Sequence, residues 1–450
     1  MRVMPFLRRE VIEPLLSARN RSPFLKYWKA LEETQYYPEE TLRDFQWNKF
    51  KKILEYGYNN NNYYKNKFKE IDLHPQDIRS IADVKNIPIL TKKDVRLAGD
   101  QIISNGFAQK DLIEAKTGGS TGKPIILYFN EDCSERRNAC TRRHDRWSGW
   151  KVGEPKGYVW GNPQLPKTLK EKLKWTFVAP IIFLDTMAVT KETVIEFSCK
   201  WKRCKPTLLF GHAHSLYLLA DLVKKYQIED LMPKAIISSS MMLLQHERKH
   251  IEDIFGRKVF DRYGCEEVGL IASECEKHEG MHLNIDHLLV EFIREDGSNC
   301  EPGELGKILV TDLISETMPL IRYQVEDMGV PSFRKCSCGR GLPLMDEVSG
   351  RTADFLVKKD GTKVAGISLI ENTLTRIPGI EQMQIIQESL ETIRIKLVPG
   401  ENYLPSNSAV LVGYFKELFL DPELVEIEIN ETIQPEKSGK YRFSICRIDG

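Results

Sequence analysis

The sequence predicts an α/β protein in two parts, a large layered body over residues 1–350 and a small α+β unit over 351–450. Three observations carry this. From about residue 87, short apolar runs rich in β-branched and aromatic residues alternate with helical stretches: Ile87–Leu90, Ile125–Phe129, Gly157–Trp160, Leu208–Phe210, Ala235–Ile237 and Val259–Tyr263. That alternation is the pattern of a largely parallel sheet buried on both faces. From Leu283 to Ser332 the chain turns β-rich, with Leu288–Phe292 and Lys307–Leu313 set between Gly, Pro and Asp breaks, as in a small barrel-like or antiparallel subdomain. At Gly350-Arg351-Thr352-Ala353-Asp354 the pattern stops. A hairpin signal at Asp360-Gly361, a helical run Ser368–Arg376 and alternating strands at Glu381–Gln387 and Thr392–Val398 then form a compact unit, so the boundary falls at 350–354.

Residues 1 to about 85 read as amphipathic helix. Phe50, Ile53, Leu54 and Tyr58 form an inward face, and Gln46, Lys49, Lys51 and Lys52 an outward one. The Asn59–Asn62 run reads as a loop with a tyrosine anchor after it. At the start, Val3, Leu7, Val11, Ile12 and Leu15 line one helix face, expected to pack on the body rather than touch a membrane.

Composition excludes several classes. The 450 residues are 41% hydrophobic and 29% charged, and 65 Lys+Arg against 64 Asp+Glu leave a net charge of +1, with no overall field for nucleic acid or an anionic membrane. No stretch approaches the roughly 18 apolar residues of a membrane span, and the first residues lack the core of a signal peptide. Ten scattered cysteines do not make a disulfide framework, so free thiols and a cytoplasmic location are expected.

Within Lys116–Pro124, the residues Thr117, Gly118, Gly119, Ser120, Thr121, Gly122 and Lys123 put three glycines and three hydroxyls beside a lysine, just ahead of an apolar run. Glycines allow close backbone approach, while hydroxyls, amides and lysine meet phosphate oxygens. A Walker loop needs four residues between its glycines and a Ser or Thr after the lysine. Here three residues separate Gly118 from Gly122, and Pro124 follows Lys123. No Gly-x-Gly-x-x-Gly opens a helix either.

Three further motifs follow in order: Asp261-Arg262-Tyr263-Gly264-Cys265-Glu266-Glu267, Pro319-Leu320-Ile321-Arg322-Tyr323-Gln324-Val325-Glu326-Asp327, and Glu436-Lys437-Ser438-Gly439-Lys440. Together with the loop, they resemble the adenylate-forming (acyl-CoA synthetase-like) superfamily, in particular its phenylacetate–CoA ligase-like branch with the ligase-like proteins of capsular polysaccharide biosynthesis. The resemblance runs from about residue 40 to the C-terminus. It implies a large N-terminal adenylation domain and a mobile C-terminal lid. The Thr117–Lys123 loop would grip the ATP phosphates, Tyr263 stack on adenine, Glu267 bind Mg2+, and Asp327 with Arg351 hold the ribose. Asp354 would be the hinge, and Lys440 the catalytic cation at the α-phosphate, with Lys437 as the alternative register. Two departures stand out: Glu266 occupies the family's hydroxyl position, and Val325-Glu326 replaces its Thr-Gly.

Cys336-Ser337-Cys338 and the segment Glu274–His282, with Cys275, His278 and His282, offer soft ligands suited to a closed structural Zn2+ site. The residues alone leave His278 and His282 both open, and the resemblance, through Cys-x6-His, selects His282. His212, His214 and Ser238–Met242 lie where the family builds its acyl pocket and adenine wall, though a capped helix start fits the histidines equally well. Trp147, Trp150 and Trp160 read as core.

The expected function is ATP-dependent activation of a small-molecule carboxylic acid as an acyl-adenylate, with transfer of the acyl group to CoA. Transfer to an amine or amino sugar in surface polysaccharide or secondary-metabolite synthesis is the alternative. An inactive nucleotide-binding regulatory module is the alternative of another class.

Overall fold

A computed structural model describes residues 3–116, 125–161, 180–349, 354–377, 379–400, 403–420, 424–434 and 442–448, with scattered positions between 162 and 179. Its centre is one eleven-stranded sheet. Across the sheet the strands run Leu288–Ile293, Gly306–Asp312, Tyr323–Pro331, Leu344–Ser349, Met281–Leu283, Gly269–Glu274, Val259–Cys265, Ala235–Ser239, Leu208–His212, Lys156–Trp160 and Ile181–Asp185. The last five are parallel, and from Val259–Cys265 back to Leu288–Ile293 every pairing is antiparallel. The β-rich stretch is therefore continuous with the parallel half. Sequence reading gave no strand at Ile181–Asp185, the edge strand paired in parallel with Lys156–Trp160.

Two of the expected strands lie elsewhere. Ile126–Phe129 pairs with Ile113–Lys116 in a separate two-stranded antiparallel hairpin. Ile87–Leu90 forms no strand, and Leu90 makes only an isolated bridge to Tyr323. Pro88 cannot donate to a ladder, and the Arg322 guanidinium takes up the Ile87 carbonyl instead.

The helical N-terminal region holds, with three corrections. Helix Glu39–Asn60 runs through the start of the asparagine run, and Asn61 caps the next helix, Asn62–Glu70, by accepting from the Tyr64 amide. An amide side chain between two helices serves as an N-cap as readily as a loop residue. Gln46 does not face water: it is buried and donates to the Leu288 carbonyl at 2.7 Å. The helical segment Val3–Arg19 is turned inside out relative to the expected face, because Leu7, Val11 and Leu15 are exposed while Arg8 is buried. Arg8 donates to the carbonyls of Phe177 at 2.8 Å and Gly153 at 3.1 Å, and these two anchored polar contacts fix the inward side of the segment.

Beyond Asp354, a hairpin pairs Phe355–Val357 with Lys363–Ala365, and helix Gly366–Arg376 follows. A four-stranded sheet then takes the order Leu424–Ile429, Thr392–Pro399, Ile380–Gln387 and Ser444–Cys446. This part shares apolar core with the parallel half of the body, where Phe355, Leu356 and Val364 join Val189, Val194 and Leu216. It also joins it by backbone: Val189 and Lys363 exchange hydrogen bonds at 3.0 and 3.1 Å, and Ala365 N–H donates to the Thr186 carbonyl at 2.8 Å.

Candidate active site and metal-ligand cluster

The carboxyl ends of the parallel strands open into a cleft of about 1430 Å3, the place where an open α/β sheet presents ligand sites. Strand Val259–Cys265 carries its motif to the rim, and Tyr263, Glu266, Glu267 and Asp327 all line the cleft. The Tyr263 hydroxyl donates to Asp327 Oδ2 at 3.0 Å, and the Tyr323 hydroxyl donates to the buried Glu267 at 3.0 Å. Strand Tyr323–Pro331 is thus tied to the Tyr263–Glu267 turn by two side-chain bonds. Glu326, at the position where the resemblance expects glycine, has φ of 68° in the left-handed region that favours glycine, and its carboxylate pairs with the buried Lys92 at 2.7 Å. At the other departure, burial and then the neighbouring Glu267 raise the Glu266 carboxyl above its ordinary value.

Sequence reading missed Arg137. On helix Glu131–Trp147, it donates to the Glu267 carbonyl at 2.7 Å, to the Glu266 carbonyl at 3.2 Å and to Asp312 at 2.8 Å. Its guanidinium also lies 4.9 Å from the ring centre of Phe129. One side chain therefore joins the carboxylate turn to the second strand of the hairpin that flanks the glycine-rich loop. A single arginine in a helix rich in arginine carries no local signal for this role.

The glycine-rich residues Thr117–Lys123, together with Arg351, Lys437 and Lys440, lie outside the described residues. Their described neighbours converge on the cleft: Lys116 and Phe129 line it on one side, and Phe443 on another. Asp354 accepts from the Arg442 guanidinium and from the Cys446 amide at 3.0 Å, and its carbonyl accepts from the Ser444 hydroxyl at 2.7 Å. It is held by the last strand of the small sheet.

The opposite wall is aromatic. Tyr158 and Trp160, Phe183, and Phe210 stand at matched registers on three adjacent parallel strands and line the cleft. Ring centres lie 5.3 Å apart for Tyr158–Phe183, 5.1 Å for Tyr158–Phe210 and 5.5 Å for Trp160–Phe210. Trp160, expected as core, is part of this wall. His212 is fully buried beneath it, 3.7 Å from the Trp160 ring centre, and burial holds its pKa down at about 3, so its imidazole is neutral. His214 lies apart, bonded to Glu247 at 2.6 Å.

Behind the Tyr263 strand, one ligand atom each from Cys275, His282, Cys336 and Cys338 lies within 4.8 Å of the others. Cys275 and Cys336 sulfurs are 3.5 Å apart, near the roughly 3.7 Å expected of thiolates at 2.3 Å from a tetrahedral zinc. His282 Nδ1 bonds the Leu342 carbonyl at 2.9 Å, which leaves Nε2, 3.4 Å from Cys338 Sγ, to face the thiols. His278 turns away to Glu274 at 3.1 Å. The donor set fits Zn2+, and the oxygen donors of the Glu267 carboxylate at the cleft are of the kind that suits Mg2+.

Residues 356–447 match the family described as the CapK C-terminal domain. Protein CapK of Staphylococcus aureus is 24% identical over 437 residues, covering 92% of this chain and 93% of that protein. The phenylacetate-coenzyme A ligase of Thermus thermophilus is 25% identical over 369 residues, covering 77% and 78%. The chain is thus similar along most of its length to CapK and to phenylacetate–coenzyme A ligases. Its fold is that of the adenylate-forming ligases: 2-hydroxyisobutyryl-CoA ligase, solved with 2-HIB-AMP and CoA in its thioesterification state, superposes with a TM-score of 0.61 at 18% identity, covering 93% of this chain and 91% of that one. The same ligase in the postadenylation state with R3-HIB-AMP gives 0.60 over the same shares, at 15% identity.

Among the described residues no helix is long and apolar enough to cross a membrane.

Proposed function

We propose that the protein is an acid–CoA ligase that activates a carboxylic acid with ATP as an acyl-adenylate. The observation that carries this reading is the convergence, on one cleft, of Tyr263, Glu267 and Asp327 with the residues that flank the glycine-rich loop and the C-terminal lysine motif. Attack of a carboxylate on the α-phosphate releases pyrophosphate, and the developing charge must be met by fixed cations and donors. In this reading the Thr117–Lys123 loop holds the triphosphate, Asp327 and Arg351 hold the ribose, and Glu267 binds Mg2+, which supplies charge neutralisation at the phosphates. Tyr323 fixes the Glu267 carboxylate, and Arg137 fixes the backbone that carries it. Lys440 contributes the cation at the α-phosphate.

The Tyr158–Phe183–Phe210–Trp160 wall supports an acid with a flat apolar body, in keeping with the phenylacetate ligase relatives. The neutral His212 beneath it offers no charge to a second carboxylate.

Residues 351–450 act in this reading as the lid, turning about Asp354 between the two half-reactions. Because Asp354 is bonded to the Ser444–Cys446 strand, it travels with the lid. The turn must also release the Val189–Lys363 and Thr186–Ala365 backbone bonds. The zinc site is structural here: four protein ligands leave no open position, and the ion would staple the Glu274–His282 segment to the loop at Cys336.

Mass analysis of products from ATP, Mg2+ and a panel of aryl and alkyl acids, with CoA or an amine added, tests the reading. An acyl-CoA formed only with ATP supports it. An amide in place of a thioester assigns the other acceptor. Nucleotide binding with no product from any acid would reduce the protein to a binding module.

A further inference from the structure

The N-terminal helical segment exposes what such a segment ordinarily buries. Met4, Phe6, Leu7, Val11 and Leu15 are 36–65% exposed, while Arg8 is buried. The segment is firmly seated on its polar side. Arg8 donates to two body carbonyls and Glu13 pairs with Arg142 at 2.5 Å. Gly153, with φ of 87°, admits the Pro5 carbonyl so closely that a Cβ there would meet its oxygen at 2.4 Å. The apolar ridge is therefore presented outward by a fixed mount.

Its own stretch of chain is basic, with Arg9 paired to Glu10 and the acids Asp132 and Glu135 engaged by Tyr27 and Ser22. Among residues 4–30, the exposed charged side chains are Arg9, Arg19, Arg21, Lys26 and Lys29 against Glu10 alone, five cations to one anion in a protein whose net charge is +1. Phe177, whose carbonyl receives Arg8, is a further exposed aromatic beside the ridge.

We propose that this face docks the protein on an anionic lipid surface, with the helix lying in the headgroup plane. An outward apolar row on a stretch of chain rich in exposed Lys and Arg is the chemistry of an interfacial helix. The charge favours lipid over a second copy of the chain, because two copies would bring the same cations together. The inference is independent of the catalytic reading.

Co-sedimentation of the full-length protein with vesicles tests it. Binding is expected to phosphatidylglycerol/phosphatidylcholine vesicles and to fall about tenfold or more on pure phosphatidylcholine. Val11→Asp with Leu15→Asp, and separately Arg19→Glu with Arg21→Glu, are expected to reduce binding to a similar extent at unchanged circular dichroism and melting temperature. All four positions are exposed, so folding does not depend on them. Equal binding by parent and both variants would overturn the proposal. So would indifference to lipid charge, or a concentration-dependent dimer that the Val11/Leu15 variant dissolves.

Discussion

On one side of the cleft, Tyr263 and Asp327 sit on two strands and Glu267 in the turn after the first, each polar tip fixed by a named partner. On the other side, Tyr158, Trp160, Phe183 and Phe210 come from three strands, one or two per strand at alternate positions, and touch only through rings. In the proposed function the first side meets a ligand made of charges and hydroxyls, so its groups must be few, polar and preorganised. The second would meet an apolar body, so area and shape suffice and many residues share the work. Damage to the first should therefore stop chemistry, and damage to the second should change which acid is accepted.

The largest effects belong to the polar side. Glu267→Gln is expected to lower adenylate formation by roughly 10²–10³-fold, as loss of a preorganised charge-stabilising group does, with the fold intact by circular dichroism. Lys440→Ala should abolish adenylate formation and leave thioester formation from a preformed adenylate largely intact, as read by single-turnover assay of each half-reaction. Equal loss in both would contradict a lid that presents Lys440 to one step only. A Val189→Cys/Lys363→Cys cross-link, placed where the lid hairpin bonds the body, should likewise spare one half-reaction and block the other, with recovery on reduction.

On the aromatic side, Phe210→Ala should lower kcat/KM for an aryl acid by about 10–100-fold while the KM for ATP stays within about twofold. A matching rise in the KM for ATP would erase the distinction between the two walls.

The Cys275/His282/Cys336/Cys338 cluster and the Asp261 carboxyl, on the same strand as Tyr263, report on the scaffold of the polar side. Cys275→Ser, or chelation, is expected to release about one zinc per chain and lower Tm by on the order of 10 °C, measured by metal analysis and calorimetry. The effect at Asp261 is smaller. Burial and then Glu274 push its carboxyl up to about 7 from an ordinary 3.8. The folded state therefore binds the proton more tightly, and the stability this lends is complete below the ordinary value and lost as pH rises through about 7. Asp261→Asn should gain Tm relative to the parent as pH climbs across that window, and a constant difference would contradict the assignment.

The same contrast explains what could be read from the chain alone. The polar side was legible because its residues are contiguous: Tyr263 and Glu267 share one turn, and Asp327 ends one run. The parallel strands were legible as apolar runs, apart from Ile181–Asp185 at the edge. The aromatic wall was not legible, because Tyr158, Phe183 and Phe210 become neighbours only through strand register, and Trp160 looks like any core tryptophan until the sheet is assembled. Arg137 stayed hidden among the arginines of its helix. The N-terminal face was read with the wrong orientation, because apolar periodicity says that a face exists but not whether a buried arginine will claim the inward side.

The most direct measurement is acid-dependent exchange of labelled pyrophosphate into ATP, without CoA. The account predicts exchange with an aryl acid, stimulated by Mg2+, unaffected by omission of CoA and reduced at least about a hundredfold in Glu267→Gln. No exchange with any acid of a broad panel, or exchange equal in the parent and in Glu267→Gln, would contradict it.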